Sequence, residues 1–275
     1  MGNDVKCCKN STADATNTKT FDSMLLMHER NMETKESSND QTNIYSENKE
    51  NDKKENEDFD LIYQHIEIDK NIFYEGDTYQ NLPHGKGKLM FTDDNKNVIE
   101  VYQGCFKNGL KHNEGRLTLV NGYSYLGNWK NNKRHGYGEE YLACGDVYKG
   151  DFKKDRKNGL GNLKLKNGDF YEGQFKNDNF EGRGTFRFKG VGKYEGDWHK
   201  NKMFGRGKFT YDDGREYIGE FKNDQKEGFG VFKWPDGRKY QGEFYNNKQH
   251  GDGEYFNKDG KMTKGFWIQG VQQDY

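Results

Sequence analysis

The sequence predicts an all-β protein: an elongated, single-layer antiparallel meander of about eight 23-residue β-hairpin repeats, preceded by a disordered N-terminal tail. The first observation is periodicity. Tyr102, Tyr125, Tyr148, Tyr171, Tyr194, Tyr217 and Tyr240 follow one another at a constant step of 23 residues, each with glycine two positions on and Phe or Trp four positions on. The second is the use of glycine, which is frequent at 35 while proline is rare at 2. Thirty of these glycines fall in four fixed columns of the repeat, so they mark turns and close contacts and not a collagen or disordered Pro/Gly tract. The third is the apolar content, only 31% and dominated by 19 Phe, 18 Tyr and 4 Trp, which leaves little Leu or Ala for a helical or α/β core.

The elements follow in order. Residues 1–60 carry 8 Lys+Arg against 14 Asp+Glu, and residues 61–275 carry 36 against 31, so a near-neutral total conceals an acidic tail and a slightly basic body. An excess this small does not suggest nucleic-acid binding. Met1-Gly2-Asn3-Asp4-Val5-Lys6-Cys7-Cys8 resembles the start of dually acylated proteins, with myristate on Gly2 and palmitate on Cys7 and Cys8; it departs from the pattern at Lys6. Two chains are needed because one myristoyl group gives only reversible membrane binding. Residues 1–9 are thus expected to be a lipid anchor, and residues 10–59, rich in Asn, Ser, Glu and Lys, a disordered acidic spacer with a short helix over 23–33. No run approaches 18 apolar residues and no apolar signal core opens the chain, so neither a spanning helix nor a signal peptide is expected. Cys105 and Cys144 stand apart from each other and from any Cys-x-x-Cys, so neither a zinc site nor a disulfide framework is read, which fits a reducing compartment.

Residues 60–73, with Leu61 to Ile68 of strand character, are expected to cap the open edge of the sheet. The repeats occupy 74–270. The first starts at Tyr74-Glu75-Gly76, and a partial ninth at Thr263 keeps Gly265 and Trp267; residues 271–275 close the chain. Within a unit, Tyr, Gly and Phe/Trp at positions 1, 3 and 5 share one strand face, because side chains alternate with period two. A Gly-x-Gly pair follows 11 and 13 residues after the Tyr, as in Gly182-Arg183-Gly184, broken only by Asn113. The second strand then alternates, as in Gly184-x-Phe186-x-Phe188, Gly207-x-Phe209-x-Tyr211 and Gly230-x-Phe232-x-Trp234, and an Asp-Gly or Asn-Gly turn ends the unit. Each unit is one hairpin, and glycine between aromatics leaves room for rings to lie over the backbone.

The run from Tyr125 through Trp129-Lys130-Asn131-Asn132-Lys133-Arg134-His135-Gly136-Tyr137-Gly138 resembles the MORN repeat, and the resemblance extends over eight in-phase copies from about Tyr74 to Gly270. It implies a long twisted sheet used for binding, membrane association and, through the C-terminal repeats, homodimerisation. In protists it also implies service in the cortical membrane skeleton and in cell division.

No enzyme, metal site or cofactor is expected. His84, His135 and His250 lie just before the Gly-x-Gly pairs and read as turn packing, and the glycines spell neither a dinucleotide fingerprint nor a P-loop. The expected partner site is the aromatic face at positions 1 and 5: Tyr125, Trp129, Tyr148, Phe152, Tyr171, Phe175, Tyr194, Trp198, Tyr217, Phe221, Tyr240 and Phe244. Most of these rings are expected to stack as core, with an extended peptide or helix meeting the better exposed ones. Lys130, Lys133, Arg134, Lys153, Lys154, Arg156 and Lys157, clustered at two turns, are the candidate contacts for anionic phospholipid headgroups. The leading expectation is a membrane-tethered scaffold or adaptor, lipid-anchored on the cytoplasmic face of the plasma membrane or a cortical inner membrane complex. The alternatives are a phosphoinositide-binding module and a targeting subunit for a separate enzyme.

Overall fold

A computed structural model describes residues 60–273. The described residues form nineteen strands arranged as an antiparallel meander, in which successive strands pair within each unit. They are β1 (Ile62–Asp69), β2 (Ile72–Tyr79), β3 (Leu82–Thr92), β4 (Val98–Lys107), β5 (Leu110–Leu119), β6 (Ser124–Lys130), β7 (Lys133–Tyr141), β8 (Val147–Lys153), β9 (Arg156–Lys164) and β10 (Phe170–Lys176). Then come β11 (Asn179–Phe188), β12 (Gly192–His199), β13 (Lys202–Tyr211), β14 (Glu216–Lys222), β15 (Gln225–Lys233), β16 (Lys239–Tyr245), β17 (Lys248–Phe256), β18 (Met262–Ile268) and β19 (Val271–Gln273). The expected all-β hairpin meander is what forms. Among the described residues one compact unit runs to Val120 and includes Asn128–Lys133, and the other holds Asn121–Gly127 with everything from Arg134 onward.

In the first unit, β1 pairs antiparallel with β2 from Ile62↔Thr78 to Asp69↔Ile72. The second unit shows the repeat in its regular form. Gly150 of β8 faces Gly161 of β9, Gly161 faces Gly173 of β10, and the line of facing glycines continues strand by strand to Gly253↔Gly265. Such a line is required because the tyrosine ring lies flat on it: a Cβ on Gly161 would stand 2.5 Å from the Tyr148 hydroxyl, and one on Gly150 would stand 2.5 Å from the Gly161 Cα. The first glycine of each Gly-x-Gly pair serves a different need. It forms a bulge with positive φ, 70° at Gly182 and 66° at Gly228, and at the one broken pair Asn113 takes φ 52°. Asn is the non-glycine residue that best tolerates this region.

Two kinds of turn alternate. Inside each repeat a two-residue turn has both residues at positive φ, as at Lys154 (52°) and Asp155 (68°), which matches the twist of the flanking strands. Between repeats the Asn-Gly and Asp-Gly pairs sit in a longer, five-residue loop, for example 165–169, with the Gly168 amide donating to the Leu165 carbonyl at 2.9 Å and Gly168 at φ 94°. The second residue of each inner turn also clamps the repeat before it. The Asp178 carboxylate accepts from the Lys157 amide at 2.8 Å while the Asp178 amide donates to the Lys157 carbonyl at 3.0 Å. Asn201 and Phe180, Asp224 and Met203, and Asn247 and Lys226 repeat this double bond.

Candidate functional site

The tyrosine face is built from side chains that the period-two alternation sends to one side of the sheet. The position-1 hydroxyls of Tyr74, Tyr102 and all the repeats from Tyr148 onward donate to the carbonyl three residues on, as Tyr148 to Asp151 and Tyr194 to Asp197, both at 2.9 Å. From Tyr148 onward each ring meets the position-5 ring of its own repeat and of the next edge to face; Tyr148 lies 5.1 Å from Phe152 and 5.0 Å from Phe175. Burial pushes these phenols far above their ordinary range, and Tyr240 up to about 12. The rings expected to meet a partner are therefore core. Tyr125, Tyr148, Tyr171, Tyr194, Tyr217 and Tyr240 are 0% exposed, and Trp129, Phe152, Phe175, Trp198, Phe221 and Phe244 are 3–5% exposed. That part of the sequence reading is corrected: the ring ladder closes over its own glycines and leaves no room for a docked chain.

The basic turns divide. Lys130, Lys133, Lys153, Lys154 and Arg156 are exposed. Arg134 and Lys157 are not available to a headgroup, which corrects their assignment, because both turn inward at position 10 of their repeats onto the buried Glu140. Arg134 is ion-paired with Glu140 and reaches Asp155 at 3.4 Å, and Lys157 meets Glu140 at 2.9 Å. The Arg134 guanidinium also lies 4.9 Å from the Phe152 ring centre. Burial alone would raise the Glu140 carboxyl, but Lys157 and Arg134 outweigh it and hold it low. In the other unit Lys111 lies 3.5 Å from Glu100, both side chains under 5% exposed.

The accessible aromatic surface lies elsewhere on the same face, at positions 16 and 18 of repeats five to eight. Phe186, Phe188, Phe209, Tyr211, Phe232, Trp234 and Tyr255 form an unbroken zigzag with centroid separations of 4.3, 5.8, 4.5, 6.2, 4.6 and 6.4 Å. Phe186, Phe209 and Phe232 are buried opposite the core tyrosines, whereas Phe188, Tyr211, Trp234 and Tyr255 are half-buried. Cations border them. Arg215 stacks 4.7 Å from the Tyr211 ring and Arg238 5.3 Å from Trp234, each held by the aspartate two residues earlier, Asp213 at 2.7 Å and Asp236 at 2.8 Å. Lys226 enters the same surface between Tyr211, Tyr217 and Phe232. In repeats two to four, positions 16 and 18 hold Leu117, Leu119, Glu140, Leu142, Leu163 and Leu165, so this aromatic run is confined to the C-terminal repeats. The sequence reading took these residues only as strand alternation. The signal that would have found them is the change, chiefly from Leu, to Phe, Tyr and Trp at these two columns.

His84 packs edge-on to Tyr79 at 5.9 Å and His250 lies 5.6 Å from Tyr245, beside the bulges. Among the described residues no group of three or more His, Cys, Asp and Glu is placed to hold a metal ion. Gly2, Cys7 and Cys8, the acidic spacer and the short helix over 23–33 lie outside the described residues.

A sheet of 23-residue hairpins carrying a buried Tyr-Gly-aromatic ladder defines a β-hairpin repeat protein. The MORN repeat family matches residues 74–96, 102–122, 125–147, 148–170, 171–190, 194–214, 217–237 and 240–262, more than half of the chain, and the chain belongs to that family. No curated protein matches it. Two solved structures share a low likeness: a catalytically inactive virginiamycin B lyase from Staphylococcus aureus with Quinupristin, and a streptogramin B lyase. The first has 12% identity over 76% of this chain and 60% of that one, at a TM-score of 0.16, and the second 10% identity over 74% and 67%, at 0.15. The chain thus spans about three fifths of the first lyase's length, and scores this low carry no functional argument.

Proposed function

We propose that the protein is a non-enzymatic scaffold that holds a protein partner on the aromatic surface of its C-terminal repeats and is tethered to the cytoplasmic face of a membrane by acyl chains on Gly2, Cys7 and Cys8. The observation that carries the docking half is the half-buried run Phe188, Tyr211, Trp234 and Tyr255 with its cationic border. Four large rings in a row on one sheet face offer apolar area that a peptide or helix would cover, and Trp, Tyr and Arg are the residues that most often dominate such contacts. The tethering half rests on the Met-Gly start and the paired cysteines.

The experiment is affinity capture with the full chain, compared with a Tyr211→Ala/Trp234→Ala variant and with a Gly2→Ala/Cys7→Ser/Cys8→Ser variant, each followed by membrane fractionation. The ring variant is expected to lose the partner and stay on membranes. The acylation variant is expected to do the reverse. Capture unaffected by the ring changes would overturn the docking surface.

A second reading, phospholipid binding by the repeats, is favoured by the exposure of Lys130, Lys133, Lys153, Lys154 and Arg156. It predicts that the acylation variant still sediments with phosphoinositide vesicles and releases them as salt rises. The loss of Arg134 and Lys157 to the buried Glu140 weakens it.

A further inference from the structure

Position 10 is where cations enter the tyrosine face, and the fold does not require one there, since Phe180 and Met203 fill the same position. Where a cation is present, the chain supplies a buried carboxylate: Glu140 for Arg134 and Lys157, Glu100 for Lys111. Lys226 is the exception. Its amine lies 5.1 to 5.4 Å from the ring centres of Phe232, Tyr211 and Tyr217, donates to the Tyr211 hydroxyl at 2.8 Å, and forms no ion pair among the described residues. The positions that send carboxylates to the other cations are here Phe232, Phe209, Arg215 and Asn247, none of them an acid. Burial, with Arg215 nearby, lowers the amine to about 8. The fold thus holds a desolvated cation at a place where it could have used Met or Phe, inside the half-open aromatic surface.

We propose that Lys226 is the receptor for an aspartate or glutamate side chain of the peptide that docks on the Phe188–Tyr255 surface. This deepens the docking reading and rests on it. The chemistry follows from charge balance. Arg215 and Arg238 are already held by Asp213 and Asp236, so one positive charge is left over, which a single carboxylate neutralises. The chain itself answers the other cations in this column with carboxylates. The rings of Tyr211 and Phe232 beside the amine, and of Trp234 next along the surface from Phe232, require apolar residues on either side of that acid, since a wholly polar segment would lose hydration against them without return.

The test selects displayed random peptides on the immobilised full chain and measures the affinity of the best binder, and of its acid-to-amide counterpart, for the wild type, Lys226→Met and Trp234→Ala. Met203 in the same column is the precedent for Lys226→Met folding. Selected peptides are expected to share an Asp or Glu flanked by apolar residues. Lys226→Met is expected to weaken the acidic peptide roughly tenfold to hundredfold while binding the amide peptide as the wild type does. Trp234→Ala is expected to weaken both peptides alike. Peptides that need Trp234 but carry no acid, or that bind Lys226→Met unchanged, would overturn the receptor and leave docking intact. Peptides indifferent to Trp234→Ala, or none selected, would overturn both. Displacement of the peptide by inorganic phosphate from the wild type but not from Lys226→Met, with no acidic preference, would overturn the carboxylate.

Discussion

At the scale of single residues, the two glycines of each Gly-x-Gly pair do different physical work. The first adopts a backbone conformation that Asn113 can also adopt, so it is replaceable at modest cost. The second lies under a tyrosine ring, and any Cβ there collides with it. Lys226 shows the same attention to one atom. Its amine is held below the ordinary lysine range by burial, so both folded and unfolded chains are protonated below about pH 8 and the desolvated charge then costs stability. As pH rises from about 8 toward the ordinary lysine value, the folded chain sheds the proton first and stability recovers. Lys226→Met is accordingly expected to unfold at higher denaturant than the wild type at neutral pH, and the gap to close toward pH 10, as read by paired urea titrations. Such a cost at a position open to Met is a mark of function over stability.

At the scale of the element, the hairpin is specified three times over: by alternation, by the inner turn and by the clamp that ties each turn to the preceding repeat. Asn201 sits at φ 65° and accepts from the Phe180 amide at 2.6 Å. Asn201→Gly keeps the turn and loses the acceptor, whereas Asn201→Ala loses the acceptor and strains the backbone. The expected costs are about 1 kcal/mol for the first and about 2 kcal/mol for the second, measured by thermal unfolding. Gly161→Ala tests the ring contact. Its Cβ would stand 2.5 Å from the Tyr148 hydroxyl, and because the neighbouring backbone is paired on both sides the ring has little room to withdraw. A loss of about 1–3 kcal/mol is expected.

At the scale of the molecule, each unit is a sheet without a second layer, and the rings stacked on its glycines stand in for a conventional core. The buried tyrosines Tyr74, Tyr148, Tyr171, Tyr194 and Tyr217 are all raised well above the ordinary phenol range, chiefly by burial. Above about pH 10 the unfolded chain ionises its phenols and the folded chain does not, so stability falls as pH rises through that range. Alkaline titration followed by tyrosinate absorbance is expected to show these phenols ionising together with loss of β-sheet circular dichroism, not in a separate earlier step. Early, independent ionisation would mean that the rings are open to water.

The sequence by itself determined the repeat length, the strand faces, the turns and the family, because glycine, aromatic and Asn/Asp positions recur in register and each has a local backbone or packing reason. The proposal of a tether at Gly2, Cys7 and Cys8 rests on motif alone. What the sequence could not determine was which of many aromatic rings remain accessible. Positions 1, 5, 16 and 18 all carry rings on one face, and local alternation treats them alike. Only the tertiary structure decided that positions 1 and 5 are sealed, because the facing glycines let Tyr148 and its equivalents lie against the sheet, while Tyr211 and Trp234 stand beyond that line, half-buried. The same pairing turned Arg134 and Lys157 inward to Glu140 and left Lys226 among rings, since the contact depends on which side chain the neighbouring strand presents, a relation between residues far apart in the chain.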